Sequence, residues 1–185
     1  MFAFILVRKA LRAVTSVEQV LQALNTAQEM TLAIKDEPYP YAVTVNYAPV
    51  VRDDELYLLF HGAKAGRKFT LLKRDPNCAF TITLRTNTLI YPDCRSTNHF
   101  ASICGEGEVL FVEGEEALDV LADMMAYYKA PIEREALKEK MRPKLAATQA
   151  FALKVSALAM KVNGEALATD DGHMHPATAE LTPKE

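Results

Sequence analysis

From Met30 onward the chain is dominated by a two-residue hydrophobic period. MTLAI (residues 30–34), YAVTVNY (41–47), ELYLLF (55–60), CAFTITL (78–84), FASICGEGEVLFV (100–112) and FALKVSALAMKV (151–162) are runs rich in β-branched and aromatic residues, bounded by turn residues. The first three follow one another at hairpin spacing, so neighbouring strands are expected to pair antiparallel. Gly105 and Gly107 inside the fifth run mark a bend or bulge of the kind a sheet needs to turn a corner. Several short strands with few helices between them predict a mainly β fold built as a small antiparallel barrel.

The intervening segments carry the flanking helices. Thr15 and Glu18 have the capping-box spacing, and Val17, Val20, Leu21 and Leu24 follow at helical intervals. A short helix is expected at about residues 68–73, stopped by Asp75 and Pro76. A further helix is expected over about 115–129, and another from Pro131 to just before Pro143. Residues 85–98 are polar and turn-rich and read as a loop. The chain divides into an N-terminal extension (1–13), one folded domain (14–163) and a polar tail (164–185). The apolar MFAFILV run opening the extension is too short to span a bilayer and is expected to pack on the body, with a membrane-touching or partner-binding segment as the alternative.

A chain of 185 residues, 50% hydrophobic, is long enough for one core without staples. Its net charge of -3 argues against a nucleic-acid partner, and no membrane partner is expected. Cys78, Cys94 and Cys104 are an odd set without CxxC spacing, which predicts reduced thiols and a cytoplasmic protein rather than a disulfide or zinc framework.

The most informative segment for function is FHGAKAGRKFTLLKRDP, residues 60–76. A strand ends, a glycine-bearing turn follows, and a helix begins among Lys64, Arg67 and Lys68 with no acid between them. Cations oppose the partial positive charge of a helix N-terminus, and a sequence selected only for folding would place Asp or Glu there. A bound phosphate reverses the sign of that cost by meeting the cations and the free N–H groups together. A solvated lysine-rich turn is the plain alternative. Gly62 and Gly66 have three residues between them rather than the four of a P-loop, so one phosphate monoester fits better than a nucleoside triphosphate.

The succession EPYPYAVTVNY, LYLLFHGAKAGRK, LLKRDPNCAFTI and FASICGEGEVLFVE resembles the pyridoxamine 5'-phosphate oxidase-like superfamily, in its flavin-nucleotide-binding, nitroimidazole-resistance (Nim-type) branch. The resemblance implies a six-stranded antiparallel split β-barrel with flanking helices, a homodimer, and FMN between the subunits. It places Tyr41, Val43, Thr44, Val45 and Asn46 along the flavin ring, and Phe60 and His61 near the cofactor. It gives the phosphate to Arg67 and Lys68, and brings Ser102 in from the facing side. The chain departs from the family pattern at Phe100–Gly105 and in the preceding CRSTNHF segment, and it lacks recognisable substrate-phosphate residues of pyridoxamine oxidation.

These readings make the protein an FMN-dependent oxidoreductase acting on a small molecule, with no nucleophilic triad and no metal site. The alternative is a non-catalytic FMN carrier or a heme-binding protein of the same fold, His61 being the candidate ligand. A dimer module without a cofactor is the third reading. His99 is expected on a surface loop. His173 and His175 with Asp170 and Asp171 are expected in a solvated tail, and Met124, Met125 and Met141 in packing.

Overall fold

The structure is a computed structural model and describes residues 1–164; the aspartates and histidines of the 165–185 tail lie outside the described residues. Nine strands form one curled sheet: β1 (Ala3–Phe4), β2 (Ala13–Val14), β3 (Glu29–Ile34), β4 (Tyr41–Asn46), β5 (Ala48–Arg52), β6 (Glu55–Ala63), β7 (Asn77–Ile90), β8 (Ser96–Val112) and β9 (Thr148–Asn163). The order is β4-β3-β7-β8-β9-β6-β5, with β1 and β2 added along β9. Every pairing is antiparallel except that of β1 with β9. The sheet curls until β4, at one end of the order, comes into contact with β6, next to the other end. The result is a half-barrel.

Alternation decides what lies inside. Leu32, Ile34, Val45, Leu58, Phe60, Phe80, Ile82, Ile103, Phe151 and Leu153 form the main core. The bulge foreseen at the glycines falls between Glu106 and Gly107, opposite Val155 and Ala157 on β9. A Cβ on Gly107 would stand 2.1 Å from the Lys154 carbonyl oxygen, so only glycine permits the close approach of the two strands.

Four α-helices flank the sheet among the described residues: α1 (Val17–Leu24), α2 (Arg67–Arg74), α3 (Gly114–Tyr127) and α4 (Arg134–Met141). Ser16, one residue after the expected Thr15, caps α1 by accepting from the Gln19 N–H. α2 buries Leu71 and Leu72 in the main core. α3 covers the other face of β6 and β9 through Ala117, Leu121 and Met124, which pack on Leu59, Ala150 and Ala152. Arg134 joins Asp119 and Asp123 at 2.8 and 2.5 Å and so ties α4 to α3. Arg52 pairs with the same Asp123 and brings in the β5–β6 hairpin.

The structure amends the sequence reading in three places. Residues 85–98 are not a loop: they continue β7 and β8 into a long ribbon whose tip is the turn at Tyr91–Arg95. A register shift between Thr83 and Arg85 separates this ribbon from the barrel. Its threonines and asparagines give it the look of a loop because one face is exposed and the other only partly buried, so it lacks the apolar alternation of a strand packed on a core. His99 accordingly sits in β8, partly buried. β5 was missed because Pro49 interrupts it; the strand lies at the sheet edge, where a missing N–H is tolerated. The extension adds β1 and β2, which cover the part of β9 beyond the reach of β6.

Candidate functional site

β4 shows a strict alternation that divides the expected ring-side residues. Tyr41, Val43 and Val45 point toward the core, with Val45 buried, while Ala42, Thr44 and Asn46 are exposed on the outer face. Pairing carries this outer face across the sheet. Thr44 lies beside Thr31, Thr31 beside Thr81, and Thr81 beside Cys104. Ala42, Ala33 and Ala79 form the next row, ending at Glu106. Directly paired residues share a face, so small side chains line up across this part of the outer surface. The Thr31 and Thr44 hydroxyls are 3.2 Å apart. Ser102 occupies the same face on β8, paired with Thr83, but three strands away from β4. An open depression of about 540 Å³ indents this face between Ala33, Lys35, Asn77, Ala79, Glu106 and Ser156.

The cationic segment lies at the start of α2. Gly66 is the N-cap residue at φ 94°, a left-handed conformation that favours glycine, and no side chain caps the helix. Its first turn contains no acid. Lys68 is half-buried, with its ammonium 5.5 Å from the Phe60 ring centroid and 5.9 Å from that of Phe151. It forms no ion pair among the described residues, and burial holds its pKa below the usual lysine range. Phe60 is fully buried and stacks on Phe151 at 4.7 Å, so it forms the floor beneath Lys68 and does not reach the surface.

His61, the next residue of β6, points to the opposite side from Phe60 and is exposed. Protein packed around one side of the ring holds its pKa below the ordinary histidine value, and the Lys68 cation adds to the effect. The imidazole is therefore neutral near neutral pH.

Arg67 is engaged differently from the expectation. Its Nε and Nη2 donate to Asp36 Oδ2 at 2.9 and 2.7 Å, and its guanidinium lies over the Tyr41 ring at 4.7 Å. Arg74 reaches Asp36 Oδ1 at 3.5 Å and the Lys35 carbonyl at 3.0 Å. Asp36, absent from the sequence reading, thus links the β3–β4 turn to both ends of α2. The hydrogen bond from Arg67 holds its carboxyl below the usual carboxylate range, helped by a backbone bond at Glu37. A group with a lowered folded pKa contributes stability above its ordinary pKa, and that contribution is lost as pH falls through the folded value. An NMR titration should therefore give Asp36 a midpoint below the roughly 3.9 of a free aspartate, moving back toward it in Arg67→Ala. A midpoint unmoved by that substitution would show that the pair is not formed in solution.

Of the expected residues, the structure gathers Tyr41, Phe60, Arg67 and Lys68 around the start of α2, while the His61 side chain stands on the opposite face of β6. Thr44 and Asn46 lie on the adjoining outer face. Val43 and Val45 offer only backbone to a ligand on that face, and Ser102 stands apart from the cluster within one chain. The donor set suits a phosphate: an uncapped helix start, one half-buried cation without an ion-pair partner among the described residues, and a second cation beside it.

The profile of the pyridoxamine 5'-phosphate oxidase family matches residues 16–162. Among curated proteins no sequence matches. A structure of a Bacteroides thetaiotaomicron protein assigned to 5-nitroimidazole antibiotic resistance is 23% identical with a TM-score of 0.64, over 81% of this chain and 86% of that one. The FAD and heme binding protein of Mycobacterium smegmatis is 19% identical with a TM-score of 0.69, over 87% and 78%. A flavocytochrome of Azotobacter vinelandii is 18% identical with a TM-score of 0.64, over 97% and 86%. These likenesses show a shared fold, and the profile match covers most of the chain. The half-barrel with its cationic helix start belongs to a member of the pyridoxamine 5'-phosphate oxidase family.

Proposed function

We propose that the protein binds FMN by its phosphate at the start of α2 and serves as a cytoplasmic oxidoreductase acting on a small molecule. The observation that carries this reading is Lys68, a half-buried ammonium with no carboxylate partner among the described residues, beside a helix start that no side chain caps. An anion there relieves both the desolvated cation and the free N–H groups. One terminal phosphate suits this cluster, and no GxGxxG strand-helix unit speaks for a dinucleotide. A bound flavin supplies electron and hydride transfer, while the protein supplies binding and electrostatics. Thr44 and Asn46 offer hydrogen bonds from the outer face of β4. The structural relatives named for FAD and heme support a redox cofactor on this fold.

The outer face calls for a cover, and a second copy is the one we propose. Its alanines and threonines form a sheet surface of small side chains on which two copies can pack closely about a twofold axis. Such a dimer brings Ser102 of one copy toward the site of the other. FMN held between subunits stabilises the dimer by linkage, so adding it to the apo-protein should tighten the dimer in sedimentation and raise its melting temperature.

A second reading has one observation in its favour. The neutral imidazole of exposed His61 is the protonation state that ligates iron, which suits a heme protein. The absorption spectrum of the purified protein, with the mass of the released cofactor, decides. Flavin bands with FMN released are expected. FAD alone would overturn the choice of FMN, a Soret band without flavin would favour heme, and no absorbance after supplying FMN would overturn the proposal.

A further inference from the structure

The family profile begins at residue 16, so the first fifteen residues lie outside the pattern it matches. They are nevertheless held in place. Ala3 and Phe4 pair with Ala157 and Leu158, the Ile5 N–H donates to the Leu158 carbonyl at 2.8 Å, and Ala13 and Val14 pair with Lys161 and Met160. Phe2 and Val7 are buried. Both ends are thus pinned to β9, and the stretch between them projects as a short loop with a single turn of 3-10 helix at Ala10–Arg12.

This pinned loop presents leucines to water. Leu6 is 94% exposed and Leu11 104% exposed, with Ile5 partly exposed between β1 and Leu6. Nothing in the folding of the barrel accounts for holding two leucines at full exposure on an anchored segment. Arg8, Lys9 and Arg12 lie among them, and no acid precedes Glu18. Arg8 and Lys9 have no carboxylate partner among the described residues, and Arg12 lies over the Phe100 ring. The chain as a whole is acidic at -3, so this basic loop stands against the charge of the body.

Apolar tips flanked by unpaired cations match the chemistry of a lipid interface: the leucines enter the acyl boundary while the cations meet anionic headgroups. We infer that the loop between β1 and β2 is a peripheral docking element for an anionic lipid surface. The sequence reading favours packing of the whole extension on the body and keeps a membrane-touching segment only as its alternative; the exposed leucines and cations favour that alternative for the loop. No helix among the described residues is long and apolar enough to cross a membrane, and the contact inferred is one of surface docking.

The test is co-sedimentation of the full chain with vesicles of phosphatidylcholine, with and without phosphatidylglycerol. Binding is expected only to the anionic vesicles, weakening as salt is raised. The double variant Leu6→Ser, Leu11→Ser should lose affinity at least about tenfold, and Arg8→Ser, Lys9→Ser should do the same while abolishing the salt dependence. All four side chains are exposed, and unchanged circular dichroism and flavin content will show that the body is intact. Failure of the chain to bind anionic vesicles, or binding that these variants leave unchanged, would overturn the inference. So would a leucine variant that dissociates oligomers in sedimentation while wild-type protein ignores vesicles, which would give the loop to a second copy.

Discussion

Replacing Arg67 and Lys68 together by alanine should weaken FMN binding at least about tenfold while the protein stays folded. Charge-assisted hydrogen bonds to phosphate are worth about 1.5–3 kcal/mol each, and the larger share belongs to Lys68. Its ammonium is half-buried over Phe60 and Phe151 and has no competing carboxylate among the described residues, so a phosphate meets it at full strength. Arg67 is more exposed and already donates twice to Asp36, so any contact to phosphate is partly offset. Lys68→Ala alone should therefore cost more affinity than Arg67→Ala alone, an ordering that charge counting along the sequence does not predict. Removing a desolvated cation relieves a cost in the apo-protein, so the melting temperature without flavin should hold or rise. Isothermal titration with FMN, with the apo melting temperature as control, reads both quantities. Equal affinity in the double variant and the parent would move the phosphate elsewhere.

Phe151→Ala should destabilise the fold by about 3–5 kcal/mol, a large part of the roughly 5–15 kcal/mol that holds a domain together. Phe151 is fully buried at the centre of an aromatic cluster. It stacks on Phe60 at 4.7 Å and an interplanar angle of 14°, and meets Phe111 edge-on at 5.1 Å and 72°. Truncation leaves a cavity between two strands that the hydrogen-bonded sheet cannot close, and removes two aromatic contacts as well. The same ring is part of the floor beneath Lys68, so flavin affinity should fall along with stability. Phe151→Leu keeps most of the volume and should recover much of the stability while lacking the stacked face. Denaturant midpoints at constant m-value check the first claim. A midpoint unchanged in Phe151→Ala would show that the cluster is not the keystone described.

Local information was enough for a good part of this protein. The two-residue period of the six apolar runs marks strands because side chains alternate across a pleat, and the glycines at 105 and 107 mark the bulge because a Cβ would strike the neighbouring strand. The cations at the start of α2 were visible as a local conflict between charge and helix dipole, which needs no knowledge of the rest of the chain. The tertiary structure alone decided what those cations meet. Asp36 lies 31 residues before Arg67, and nothing in the local pattern of either segment pairs them. The family resemblance puts Phe60 and His61 together near the cofactor, but alternation sends successive side chains to opposite faces and buries Phe60 against Phe151. The ribbon at 85–98 escaped because a strand with one face exposed and the other only partly buried lacks the apolar alternation of a strand packed on a core, and its pairing is set by the partner strand. The two exposed leucines were indistinguishable in sequence from the buried Phe2 and Val7 beside them. Composition specifies that a segment is apolar; which of its side chains find a partner depends on the long-range pairing of the extension with β9.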